Sequence, residues 1–128
     1  MKPEMMLLAW AAALTFVQML VAATGATLQV GLPMLAGNRE NLPPLTGWAG
    51  RADRAHHNML ESLVLFAALV LIAVISQKTN NMTLLGAQLF FWARLAYAAI
   101  YVAGIPWLRT GVWFVSVVGL ILIFLQLL

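Results

Sequence analysis

The sequence predicts an all-α integral membrane protein, a bundle of four transmembrane helices, and three observations lead there. Apolar residues make up 63% of the chain and charged residues 9%, with mean hydropathy +0.93. A soluble domain runs near half apolar and a quarter charged, so too little polar surface is left to coat a water-soluble globule. Long stretches carry no charge at all, and the turn-forming residues gather between them. A helical span takes about 20 apolar residues, so the 128 residues form one membrane domain of four spans with short connections. Disorder is excluded, and the alternating apolar and polar pattern of a barrel strand is missing.

Span one falls within the uncharged run that begins at Met5 and is read to about Leu32. Lys2 ahead of this run resembles a signal peptide, but the run is too long for an ordinary signal core. Pro33, Gly37, Asn38, Pro43, Pro44, Gly47 and Gly50 then make a turn-rich connector. Span two is read from about Arg54 to Ser76 and span three from about Met82 to Gly104. Their uncharged segments alone, Ser62–Gln77 and Thr79–Ala93, are too short to cross. Each must therefore take polar residues into the membrane, where an ionisable group faces the bundle interior or a wet cavity. Gly104-Ile105-Pro106 ends span three, because proline cannot continue a helix, and span four occupies about 108–128.

The basic residues orient the chain. Arg39, Arg51 and Arg54 flank the first loop and Arg109 the third, against Lys2 and Lys78 on the other side. The positive-inside rule sets those two loops in the cytoplasm and both termini away from it. Trp48 and Trp107 then sit at the cytoplasmic interface and Trp10 at the other. A net charge of +3 is too small and too scattered for a nucleic-acid partner. Without cysteine there is no disulfide, and any thiol in the chemistry belongs to a substrate.

Spans two and three carry the chemistry. Arg51, Arg54, Asn58 and Glu61 follow spacings of three, four and three, which line one helix face. Arg94, Tyr97 and Tyr101 form a second stripe. Glu61 lies ten residues beyond Arg51 and Arg94 ten before Gly104, so each sits about 15 Å in. At equal depth the carboxylate and guanidinium are expected to pair, with Asn58 meeting Tyr97 and Arg54 meeting Tyr101 nearer the mouth. A plainer reading of the same residues is a structural clamp, with Arg51 and Arg109 snorkelling to lipid headgroups. His56 and His57 are adjacent and lack metal-ligand spacing, so no metal site is expected. Trp92 and the seven methionines read as packing or lipid-facing residues.

The paired motif, Arg51-x-x-Arg54-Ala-x-x-Asn58-x-x-Glu61 with Arg94-Leu-Ala-Tyr97-x-x-x-Tyr101, resembles the MAPEG family, the membrane-associated proteins of eicosanoid and glutathione metabolism. The likeness covers nearly the whole chain and is greatest to the small bacterial branch, which implies a bacterial inner membrane. It implies a homotrimer of four-helix subunits with glutathione, as co-substrate, held at subunit interfaces near the cytoplasmic side. Carried over by motif, Arg51, Arg54, Asn58, Glu61, Arg94 and Tyr97 would bind the tripeptide. Arg109, with Tyr101, would serve catalysis by activating the thiol. Val64 stands where several relatives have a proline, and Arg109 follows Tyr101 by eight residues, a spacing that differs among relatives.

The function this implies is that of a glutathione transferase or peroxidase acting on lipophilic electrophiles or lipid hydroperoxides that arrive from the bilayer. The alternative is a non-catalytic trimer binding lipid or a small amphipathic ligand, with the polar cluster structural. A small proton-coupled exporter would need a carboxylate within span one, where the sequence reading places none.

Overall fold

The computed structural model describes residues 1–128. It is all-helical: α1 (Pro3–Val30), the short α2 (Leu32–Ala36), α3 (Gly47–Ile75), α4 (Asn81–Ala103) and α5 (Pro106–Leu127). All but α2 are long and apolar enough to cross a membrane, so the chain is a multi-pass integral membrane protein built as a four-helix bundle.

Local chemistry sets the boundaries. Pro3 and Pro106 each lie in the first turn of a helix, where a missing N–H costs nothing. Gly31, at φ +85°, breaks α1 and turns the chain into α2. Asn80 caps α4: its Oδ1 accepts from the Met82 and Thr83 amides at 2.8 and 3.0 Å, while its own amide donates to Thr83 Oγ1 at 2.8 Å. Gly104, in the left-handed region at φ +84°, closes α4.

One boundary moves. α3 begins at Gly47 rather than at the expected Arg54. At 29 residues it runs about 43 Å, well beyond the ~30 Å hydrocarbon layer. Hydropathy marks where apolar chain begins, whereas the helix starts where Pro43 and Pro44 release it.

Packing follows side-chain size. α5 lies closest on α4, and a Cβ on Gly86 would stand 2.6 Å from the Gly119 carbonyl oxygen. α1 meets α3 through Gly25, whose added Cβ would stand 2.8 Å from Ala49 Cβ. Between these seams Leu7, Ala11, Met59, Phe66, Val70, Ala87, Phe90 and Ile123 form the core, with the Phe66 and Phe90 rings stacked 4.1 Å apart. Most other large apolar side chains face outward, as a lipid-embedded bundle requires.

The two ends differ in chemistry. Arg39, Arg51, Arg54 and Arg109 cluster around the α2–α3 and α4–α5 connections. At the opposite end Lys78 Nζ donates to the Leu127 carbonyl at 2.9 Å, and Asn80 Nδ2 to Gln126 Oε1 at 2.9 Å. Glu4 belongs to this end and corrects the sequence reading, which placed no carboxylate within span one. Because Pro3 starts the helix, Glu4 lies in its first turn, 4% exposed, and accepts from Thr83 Oγ1 at 2.7 Å.

Candidate functional site

The site is assembled from the facing stripes of α3 and α4 and the start of α5. Its centre is Arg94. The side chain is 1% exposed, and Nε, Nη1 and Nη2 all lack a hydrogen-bond partner. Its guanidinium carbon stands 4.2 Å from the centroid of the Tyr97 ring, a cation–π contact of modest strength. A guanidinium withdrawn from water without an anion is costly, which leaves Arg94 with unmet capacity for a negative group.

The expected Glu61–Arg94 pair does not form. Glu61 is exposed, and the one ion pair of the chain joins His57 to Asp53 at 3.6 Å. The reason is angular. Equal depth fixes height along the bundle and leaves azimuth free. The buried face of α3 is set by Ala52, Ala55, Met59 and Phe66, and Glu61, two residues past Met59, points about 200° away from it.

The other stripe residues divide. Arg54 Nε donates to the Tyr101 hydroxyl at 3.3 Å, the meeting that the spacing predicts. The Tyr101 ring lies 5.5 Å from that of Tyr97 and carries the Arg109 guanidinium 4.5 Å above its centroid. Cation, ring, ring and cation thus follow one another from Arg94 to Arg109. Asn58, with Oδ1 buried and unpartnered, and Tyr97 line a cavity of about 170 Å³ together with Arg109, Thr110 and Trp113. Arg51 turns elsewhere: its Nε donates to the Val102 carbonyl at 2.9 Å, tying the start of α3 to the end of α4.

Thr110 and Trp113 were not singled out from sequence. Trp113 lies four residues after Arg109, hence on the same helix face, and that spacing was the available signal. Gln18 was also missed. It is 8% exposed in α1 with Oε1 unpartnered, and nothing in an uncharged run marks one amide as inward-facing.

Chemically, the cluster offers the Arg54, Arg94 and Arg109 cations, two phenols and an amide, of which Arg109, Tyr97 and Asn58 line a small polar cavity in an otherwise apolar bundle. It suits a compact ligand carrying negative charge. Neither a curated protein nor a solved structure matches this chain. The model of the MAPEG family does match, over residues 5–128, nearly the whole sequence, and the chain belongs to that family.

Proposed function

We propose that this protein binds glutathione at the arginine-rich end of the bundle and couples its thiol to lipophilic electrophiles or lipid hydroperoxides. The observation that carries the reading is Arg94, a buried guanidinium with no anion of its own, set over the ring of Tyr97, which lines the cavity with Asn58 and Arg109. Glutathione brings two carboxylates, which arginine grips through paired N–H donors. It also brings an ammonium group, for which the exposed Glu61 is a partner. Family membership supports the choice of tripeptide, and by the same likeness the working unit is a homotrimer in a bacterial inner membrane. The basic end then faces the cytoplasm, following the positive-inside rule.

Arg109 and Tyr101 form the reacting corner. A free thiol is a weak nucleophile at neutral pH, and a nearby cation lowers its pKa; Arg109 supplies that cation. The Tyr101 oxygen accepts from Arg54, which leaves the phenolic proton free to donate to sulfur. With an electrophile, the thiolate forms a carbon–sulfur bond as the leaving group departs. With a hydroperoxide, sulfur attacks the terminal oxygen and the O–O bond breaks, giving an alcohol and a sulfenic acid. A second glutathione then converts the sulfenic acid to the disulfide and water.

Thiolate absorbance tests this directly. Mixing the purified protein with glutathione at neutral pH is expected to raise the ultraviolet thiolate band. Arg109→Gln is expected to lose the band while still binding, and to regain it only as pH approaches the free thiol's pKa. An undiminished band in that variant would remove Arg109 from the mechanism.

A further inference from the structure

Two cavities meet on the far side of α3 from Asn58. One, of about 500 Å³, has Arg39, Leu42, Pro43, Gly50, Asp53 and His57 among its walls. The other, of about 360 Å³, is lined in its apolar part by Met19, Ala22, Ala23 and Leu32. Ala26, Leu35, Arg39 and Asp53 line both, so a polar chamber opens into an apolar one. Asp53 and His56 precede Asn58 by five and two residues, which turns them about 140–160° from it round α3. Neither lines the Arg109 cavity.

Charge marks the junction of the two chambers. Arg39 has φ +61°, a left-handed backbone that arginine rarely adopts. Its Nε donates to the Leu35 carbonyl at 2.7 Å, which leaves the terminal nitrogens for a ligand. Asp53 lines both cavities with Arg39 yet does not pair with it; its ion pair is with His57, at 3.6 Å. A cation and an anion held apart around one space complement a zwitterion. His56 lines the apolar cavity, with Nδ1 buried and unpartnered. Its proton is better placed on Nε2, as a donor for an ester carbonyl. From Ala26 to Met19 the apolar cavity follows α1 inward for seven residues, about 10 Å, and its walls suit an acyl chain.

We infer that these cavities hold a phospholipid with a primary ammonium headgroup, of the phosphatidylethanolamine class. Its phosphate lies on Arg39, its ammonium on Asp53, an ester carbonyl at His56 and one acyl chain against Ala22 and Ala23. Choline lipids bring no N–H to Asp53, and glycerol-headed lipids bring no cation. The site needs no thiol and stands whether or not glutathione binds beside Arg109.

The test uses the full-length protein in detergent, stripped of lipid and titrated with the dioleoyl forms of phosphatidylethanolamine, phosphatidylcholine and phosphatidylglycerol. Native mass spectrometry counts the bound lipid. The ethanolamine lipid is expected to bind about tenfold more tightly than the other two, the low end for one hydrogen bond to a charged group. Asp53→Asn, checked for folding by circular dichroism, is expected to erase its advantage over the glycerol lipid, and Arg39→Gln to weaken both. Ala23→Trp, which fills the acyl cavity, is expected to weaken all three. Glycerophosphoethanolamine, the same headgroup without acyl chains, is expected not to compete; full competition would make the ligand a soluble phosphate ester and overturn the lipid. Equal affinity for the three lipids overturns the inference, as does a preference for the glycerol lipid. An ethanolamine preference that survives both charge variants contradicts it too. So does a lipid-free oligomer that Ala23→Trp breaks apart, which would give the cavities to a second copy.

Discussion

Arg94 is where the residue-scale account is most exposed to test. The sequence placed an arginine in the middle of span three and gave it Glu61 as partner; the structure leaves it buried and unpaired. That Arg94 lies inside the membrane was legible from hydropathy. The error came from treating depth as contact, since the direction of a side chain depends on which face of α3 packs, and that is settled by alanines whose pattern carries little signal. An unpaired buried cation makes the empty protein less stable than an apolar replacement would. Arg94→Met is therefore expected to stabilise the ligand-free protein by about 1–4 kcal/mol and to abolish the stabilisation that glutathione confers. Thermal unfolding with and without glutathione reads both effects. A variant that melts earlier without ligand would mean that Arg94 has an anionic partner after all.

At the scale of elements, the helices were readable and their contacts were not. Span lengths, the proline at 106 and the glycine at 104 announce themselves, and α1, α4 and α5 lie close to where the sequence puts them. The α4–α5 seam was invisible, because nothing in the chain pairs Gly86 with Gly119. A methyl group at either would meet backbone at 2.6 or 2.5 Å, so the helices must move apart. Gly86→Ala and Gly119→Ala are each expected to cost about 1–3 kcal/mol in detergent unfolding. A pair of neutral substitutions would show that the seam is looser than this. Asn80→Ala removes the α4 cap and is expected to cost about 1 kcal/mol in the same assay, with ligand binding unaffected because the cap lies at the far end.

The whole molecule separates a structural end from a chemical one. At the first, Glu4, Thr83, Lys78 and Gln126 tie the helix ends together; at the second, Asn58, Tyr97, Arg109, Thr110 and Trp113 line a polar cavity. Glu4→Leu is accordingly expected to destabilise the fold by about 1–3 kcal/mol without changing glutathione affinity. A loss of affinity in a variant that keeps its fold would couple the two ends. Fold class followed from composition and the long uncharged stretches, because an apolar chain of this length has few ways to satisfy its backbone in lipid. A trimer would leave no comparable mark, since helix faces that bind lipid and faces that bind another copy are both apolar.

Calorimetric titration of the purified protein with glutathione, alongside Arg54→Ala, addresses the central claim most directly. Arg54 donates to the Tyr101 hydroxyl, and Arg109 lies over the same ring. Saturable binding in the unaltered protein, lost in the folded variant, is the result this account predicts. Heat of dilution alone in the unaltered protein, or equal binding by both, would contradict it and leave the cluster a structural feature of the bundle.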